Sequence, residues 1–264
     1  MPITIERPTS SYPELIVTIP DDWPYVQLAP LYDVHFGHRL HASEQFLRHI
    51  KWLADQPHVL GWNGGDLIEN AIVGSPGMFD QKAVPQDQFD AALELVYPFK
   101  DKLLFAIPGN HEARTAKVSS IDIARFFAEK LDIQYFSDYC FCTIKWKGNN
   151  FRIVAHHGTG AAQTPGGQRN AARKDMPWVE ADLYWTGHLH QPMVDLVARF
   201  DFDQRSNLMI QRNSLVIISP SYLSYFGGYG AAKRYSPGVT GLIPVTLQAD
   251  GRIDASIHAE GIRL

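Results

Sequence analysis

No apolar run in this 264-residue chain approaches the roughly 18 residues that a membrane helix requires, so no membrane partner is expected. Residues 1–15 carry Glu6, Arg7 and three prolines and lack an apolar h-region, which argues against a secretory leader. Positive charge is not in excess. Lys plus Arg number 24 against 28 Asp plus Glu, a formal charge of −4, so a broad basic coat for non-specific nucleic-acid binding is excluded while a local patch stays open. Cysteine is scarce. Cys140 and Cys142 stand as C-x-C, a spacing that suits neither a zinc finger nor a disulfide framework. In a strand they share one face and read as packing residues, and two reduced thiols fit a cytoplasmic location. Repeats and low-complexity tracts are missing too. What remains is the ordinary balance of a globular protein, 45% apolar and 20% charged.

The order of elements is strand–helix first and antiparallel later. Residues 25–32, 58–62 and 102–107 read as strands, and 43–54, 86–97 and 121–131 as helices. Phe46, Leu47, Ile50 and Leu53 have helical spacing, with Ser43 as a plausible N-cap. Hairpins are predicted over 139–155, over 193–219 and over 239–258, with a further strand at 182–186. Two sheets packed face to face with helices outside is the natural assembly.

One pattern recurs five times: an apolar strand ends in a cluster of Asp, Asn or His. The clusters are Asp33/His35, Asp66, Asn110/His111, His156/His157 and His188/His190. Strand ends of α/β sheets are where sites assemble. If the chain stays extended, residues i and i+2 aim at one point, which pairs Asp33 with His35 and His188 with His190. Glycines at 65, 109, 158 and 187 allow sharp turns beside a ligand. Imidazole, carboxylate and amide donors without thiolate suit manganese, iron or zinc. Seven donors are too many for one ion and suit two that share a carboxylate, the clamp used for in-line displacement at phosphorus. Taken singly, a histidine at a strand end is more often structural, and His41, His49, His58 and His258 read as bystanders.

As a set, Asp33-x-His35, Gly65-Asp66, Gly109-Asn110-His111-Glu112, His156 before a glycine turn, and Gly187-His188-x-His190 resemble the calcineurin-like metallophosphoesterase superfamily. The stretch from Ala155 through Gly166-Gly167 to His190, and Gly228-Tyr229-Gly230, resemble phage and prophage members. The resemblance implies one metallophosphoesterase domain over residues 1–264, folded as a four-layer αββα sandwich of two mixed sheets. It implies two divalent transition-metal ions, manganese first and iron or zinc next. Asp33, His35 and His190 would hold the first ion and Asn110, His156 and His188 the second, with Asp66 bridging. His111 would be the catalytic acid or charge stabiliser at the leaving oxygen. Motif four has two adjacent histidines. His156 is preferred as ligand because it directly follows the apolar strand, which leaves His157 to face substrate or to support the ligands from behind; an early turn at Gly158 would reverse them. Glu112 either orients His111 or simply opens a helix.

The reaction implied is hydrolysis of a phosphate ester by hydroxide formed between the ions. A phosphodiesterase or nuclease acting on nucleotides or nucleic acid leads, ahead of a phosphomonoesterase or protein phosphatase, with a non-catalytic scaffold last because no ligand position is missing. Residues 159–174, with Arg169, and 222–235, with Tyr229, are expected to wall the cleft, as substrate contacts or as a packed surface loop.

Overall fold

The computed structural model describes residues 2–75, 77–203, 205–255 and 258–259, without the side chains of Tyr229, His258 and Ala259. In chain order the elements are β1 (Thr4–Glu6), β2 (Glu14–Thr18), β3 (Val26–Leu28), α1 (Ser43–Asp55), β4 (Val59–Asn63), α2 (Pro85–Val96), β5 (Leu103–Ala106), α3 (Glu112–Ser119), α4 (Ile123–Leu131), β6 (Gln134–Tyr135), β7 (Tyr139–Trp146) and β8 (Asn149–His156). There follow α5 (Pro165–Ala172), β9 (Leu183–Thr186), β10 (Met193–Phe202), β11 (Met209–Ile218), α6 (Tyr229–Ala232), β12 (Gly241–Leu242), β13 (Val245–Leu247), β14 (Ile253–Ala255) and β15 (His258–Ala259). A 3₁₀ turn at Tyr97–Lys102 follows α2, where Pro98 removes a helix donor.

Seven strands form one sheet in the order β1-β2-β7-β8-β9-β11-β10, six form a second in the order β14-β13-β3-β4-β5-β6, and β12 pairs with β15. Both large sheets are mixed: β3, β4, β5 and β6 run parallel, as do β8, β9 and β11, while β7–β8, β10–β11 and β13–β14 are antiparallel.

Side-chain alternation divides the apolar residues among three layers of packing. Ile153, Ala155, Leu183, Trp185 and Ile217 of the larger sheet meet Val26, Leu28, Leu60, Trp62 and Val245 of the smaller, which makes the core between the sheets. Their neighbours Val154, Tyr184, Val216 and Ile218 face outward onto Ala172 and Met176, at and beyond the end of α5. On the other outer face, Phe46, Ile50 and Leu53 of α1, Ala92 and Val96 of α2, and Phe127 and Leu131 of α4 cover the smaller sheet. The result is a four-layer αββα sandwich, as the sequence implied. Cys140 and Cys142 are both in the central core, where burial raises both thiol pKa values, Cys142 to about 12. No helix among the described residues is long and apolar enough to cross a membrane.

Several local readings change. Ser43 is the first residue of α1 rather than its cap; Ala42 precedes it and no side chain caps the helix. The strand expected over 25–32 pairs regularly only at Val26–Leu28, although Leu31 still bridges Asn63. Strands β1 and β2 and helix α3 were not expected. The closing hairpin divides in two, β13 with β14 and β12 with β15.

Candidate metal centre

The parallel strands β3, β4 and β5 of one sheet and β8 and β9 of the other end at the same rim of the sandwich, and the ligand-bearing loops follow those ends. Beneath the rim is an aromatic floor whose polar atoms are all used. Trp62 Nε1 donates to Tyr32 Oη at 3.0 Å, Tyr32 Oη to the Trp185 carbonyl at 3.4 Å, and Trp185 Nε1 to Ser219 Oγ at 2.8 Å. Rings locked in this way hold the next residues, Asp33 among them, in fixed positions.

Two sets of donor atoms converge above this floor. Asp33, His35 and His190 form one set and Asp66, His157 and His188 the other, and within each set the donor atoms lie within 4.8 Å of one another. Asp66 stands between them: its Oδ2 is 3.4 Å from His157 Nε2 and 3.8 Å from His35 Nε2. Asn110 Oδ1 is 3.2 Å from His157 Nε2. In the first set, His190 Nε2 is 3.2 Å from both Asp33 Oδ1 and His35 Nε2. Outer partners fix ring orientation. His35 Nδ1 lies 3.2 Å from Glu69 Oε2, His157 Nδ1 lies 2.9 Å from the Gly64 carbonyl, and Asp33 Oδ2 accepts from the His188 backbone N–H at 2.7 Å. Such contacts raise the basicity of ligating imidazoles and hold their direction.

The local backbone departs from the expected extended geometry. Asp33, His35, Asp66, His188 and His190 have φ of 48°, 50°, 53°, 65° and 55°. Asp33 and His35 do converge, but His188 and His190 turn into different sets instead of sharing one. Two of the glycines serve by clearance. A Cβ on Gly109 would strike the Asp66 carboxylate and backbone, and one on Gly187 would strike Asp33 and the Tyr32 ring.

The adjacent histidines are the main correction. His156 is not in the cluster. It keeps the outward parity of Val154, and its Nε2 meets Asp175 Oδ2 at 2.8 Å beside the Tyr139 ring. His157 has the inward parity of Ile153 and Ala155 and takes the place expected for His156. A second correction concerns Arg169. It is exposed on α5, with Nε 3.5 Å from Asp195, and does not line the cleft. The Tyr229 side chain, the third expected substrate contact, lies outside what the structure describes.

His111 sits at the edge of the cluster. Its backbone N–H donates to Asp66 Oδ1 at 2.8 Å, its Nδ1 is 2.6 Å from the Glu69 carbonyl, and Arg114 Nη2 is 2.9 Å from its Nε2. Sequence reasoning missed two supports, Glu69 and Asp175, and gave a third, Glu112, a different role. Glu69 faces both His35 and His111, and Arg114 Nη1 is 3.5 Å from its carboxylate. Glu112 is buried and accepts from the backbone N–H groups of Asp66, Leu67, Ile68 and Gly109, at 2.9–3.3 Å. Asp175 anchors His156. The only available sign of Glu69 is an acidic residue three positions after a candidate ligand.

The electrostatics fit divalent cations. Asp33, Asp66 and Glu69 are 0%, 1% and 3% exposed, and Arg114 is the one guanidinium beside them among the described residues. Burial opposes charge on Asp66, but His111 and His157 outweigh it and hold the carboxyl well below its usual range. Burial likewise pulls His157 down, yet Asp66 and Asp33 raise it to about 10. Buried oxygen and nitrogen donors thus face each other with a preference for added positive charge, which is the place a cation takes. Burial, followed by the nearby His111, holds His35 well below the ordinary histidine value, leaving a neutral imidazole able to ligate.

The cluster opens into a cleft of about 500 Å³ lined by His35, His111, Arg114, His188, His190 and Tyr225 among others. A hollow of about 640 Å³ between the N-terminal segment and α4 holds none of the candidate residues.

No family model and no curated protein matches the chain. Among solved structures it is similar to the calcineurin-like phosphoesterase YfkN from Bacillus subtilis, at 13% identity and a TM-score of 0.41, over 89% of this chain and 90% of that one.

Proposed function

We propose that this chain is a phosphoesterase of the calcineurin-like type that works with two divalent metal ions. The observation that carries the reading is the pair of donor sets, Asp33/His35/His190 and Asp66/His157/His188, meeting at Asp66 with Asn110 and His111 beside them. When bound, two such ions supply Lewis acidity toward phosphoryl oxygens and a lowered pKa for water. Manganese suits this mixture of oxygen and imidazole donors, with iron or zinc as the other choices.

The chain's own groups account for the rest. Asp66 offers a single oxygen, Oδ2, toward both donor sets while its Oδ1 accepts from the His111 backbone. Asp33 and the Asn110 amide add oxygen donors. His111 and Arg114 lie together on the cleft side, where a leaving oxygen accumulates charge; Arg114 brings a fixed positive charge and His111 an imidazole that can deliver a proton. The expected attack is in line, with the donor sets on the entering side of phosphorus and His111 on the leaving side.

Within this class a diester of nucleotide size is the substrate we favour. A cleft of about 500 Å³ has room for groups on both sides of phosphorus. Arg169 and Arg173 face Asp195 rather than the cleft, so a long basic track for nucleic acid is not supported. The test pairs elemental analysis after manganese loading with hydrolysis of bis-p-nitrophenyl phosphate, p-nitrophenyl phosphate, cyclic nucleotides and short DNA. Two ions per chain and preference for the small diesters are expected. One ion or none overturns the metal reading, and preference for the monoester overturns the diester reading alone.

A further inference from the structure

We infer that the chain forms a two-fold dimer by pairing β10 with β10 of a second copy. Strand β10 is the outer strand of the larger sheet, and among the described residues no strand pairs with its free side. Its ten residues all pair with β11, but β9 reaches β11 only at Leu215–Ile218. Residues 197–202 and 209–214 therefore extend past β9 as a two-stranded ribbon, held at its base where Ser214 Oγ donates to the Ala181 carbonyl at 2.7 Å and Arg199 Nη1 to the Met176 carbonyl at 3.3 Å. Such a ribbon is marginal alone and presents a long unpaired edge, a template for another strand.

The ribbon's faces differ in chemistry. Leu196, Phe200, Phe202, Leu208 and Met209 are 63–70% exposed. Leu196 is opposite Leu215, so Leu196, Phe200 and Phe202 continue the face that elsewhere packs between the sheets. The other face carries Arg199, Asp201 and Arg212. An apolar strip of this kind on a projecting edge marks an interaction surface.

Backbone direction and charge both select a copy of the same strand as the occupant. Asp203 N–H donates to the Leu208 carbonyl at 3.0 Å. Along an antiparallel ladder, odd-numbered residues of β10 therefore direct N–H and C=O toward β11, and even-numbered ones direct them outward. A two-fold axis at Phe200 matches outward groups with outward groups: Phe200 faces Phe200 of the second copy, and Ala198 faces Phe202. The same register sets Arg199 opposite Asp201 twice. Phe202 N–H, now met by Asp201 Oδ1 at 2.8 Å, would pair with the Ala198 carbonyl across the axis while Asp201, now 3.6 Å from Arg212 Nε, turns to Arg199. Cross-strand aromatic and ion pairs are the units that stabilise such a junction. The two seven-stranded sheets would become one of fourteen.

Sedimentation velocity of the full chain from about 1 to 100 µM, with circular dichroism on every variant, tests this. The wild-type chain is expected to sediment at twice the chain mass within that range. Phe200→Lys and Arg199→Asp should each give monomer, raising the dissociation constant at least about tenfold, with unchanged circular dichroism. The double variant Arg199→Asp/Asp201→Arg restores both ion pairs with signs exchanged and should restore the dimer. A wild-type chain that stays monomeric at 100 µM overturns the proposal and leaves the strip to a different protein. So does a dimer that survives Phe200→Lys, or one that the double variant fails to rescue.

Discussion

The two sheets contribute unequally to the candidate metal centre. From the six-stranded side come Asp33, His35, Asp66, Asn110 and His111, braced by Glu69 and by Glu112, whose carboxylate gathers four backbone N–H groups from two loops. From the seven-stranded side come His157, His188 and His190, held by fewer contacts, with the His190 side chain 35% exposed at the mouth of the cleft. A buried carboxylate is costly unless its lone pairs are satisfied, so the oxygen-rich side needs a built frame. Imidazoles, whose uncharged form costs less to bury than a carboxylate, tolerate the looser side. One half is thus preorganised, and the other completes it.

The sharpest test of that asymmetry is Asp66→Asn. It removes the charge that both donor sets share, so both ions should be lost and hydrolysis should fall by more than about 10²-fold; elemental analysis and turnover check it. Full occupancy with full activity would show that Asp66 does not join the sets. His111→Ala should cost about 10²–10⁴-fold on an ester with a poor leaving group while both ions stay bound. An activated nitrophenolate is the wrong substrate there, because its departure needs little help.

Glu112→Ala addresses the frame itself. Four backbone donors lose their acceptor, and each one left buried without a partner costs about 1–3 kcal/mol. Urea denaturation should report the loss in the metal-free protein; an unchanged midpoint would remove the distinction between a framed half and a completing half. On the other side, His157→Ala should weaken manganese binding by about 10–100-fold. The smallest change is expected for His156→Ala, which frees Asp175 but leaves manganese affinity within about twofold. If His156→Ala is instead the variant that loses an ion, the placement of the two histidines is wrong.

Much of this was legible in the sequence for a physical reason. Period-two alternation in β8, β9 and β11 separates an inner from an outer face, and helical spacing in α1 and α4 supplies the covering layers, so four layers could be inferred. Chemistry at strand ends pointed to Asp33, His35, Asp66, Asn110, His188 and His190, all of which the structure brings to one rim. The choice at 156 and 157 was also readable. Phe151, Ile153 and Ala155 share parity with His157, whereas His156 falls in step with Arg152 and Val154; adjacency to the apolar run was the weaker guide. Other features were out of reach. Glu112 acts on a loop some 45 positions away, Arg169 is drawn to Asp195 on β10, and β2 is a five-residue strand paired with β7 over a hundred residues on. Contacts of that range leave no local periodicity.

The left-handed backbone at Asp33, His35, Asp66, His188 and His190 has a further consequence. An L-residue held there gives up about 1 kcal/mol or more that glycine would not, since only the Cβ is strained. At all five positions the substitution easiest on the backbone is therefore the one that deletes a donor.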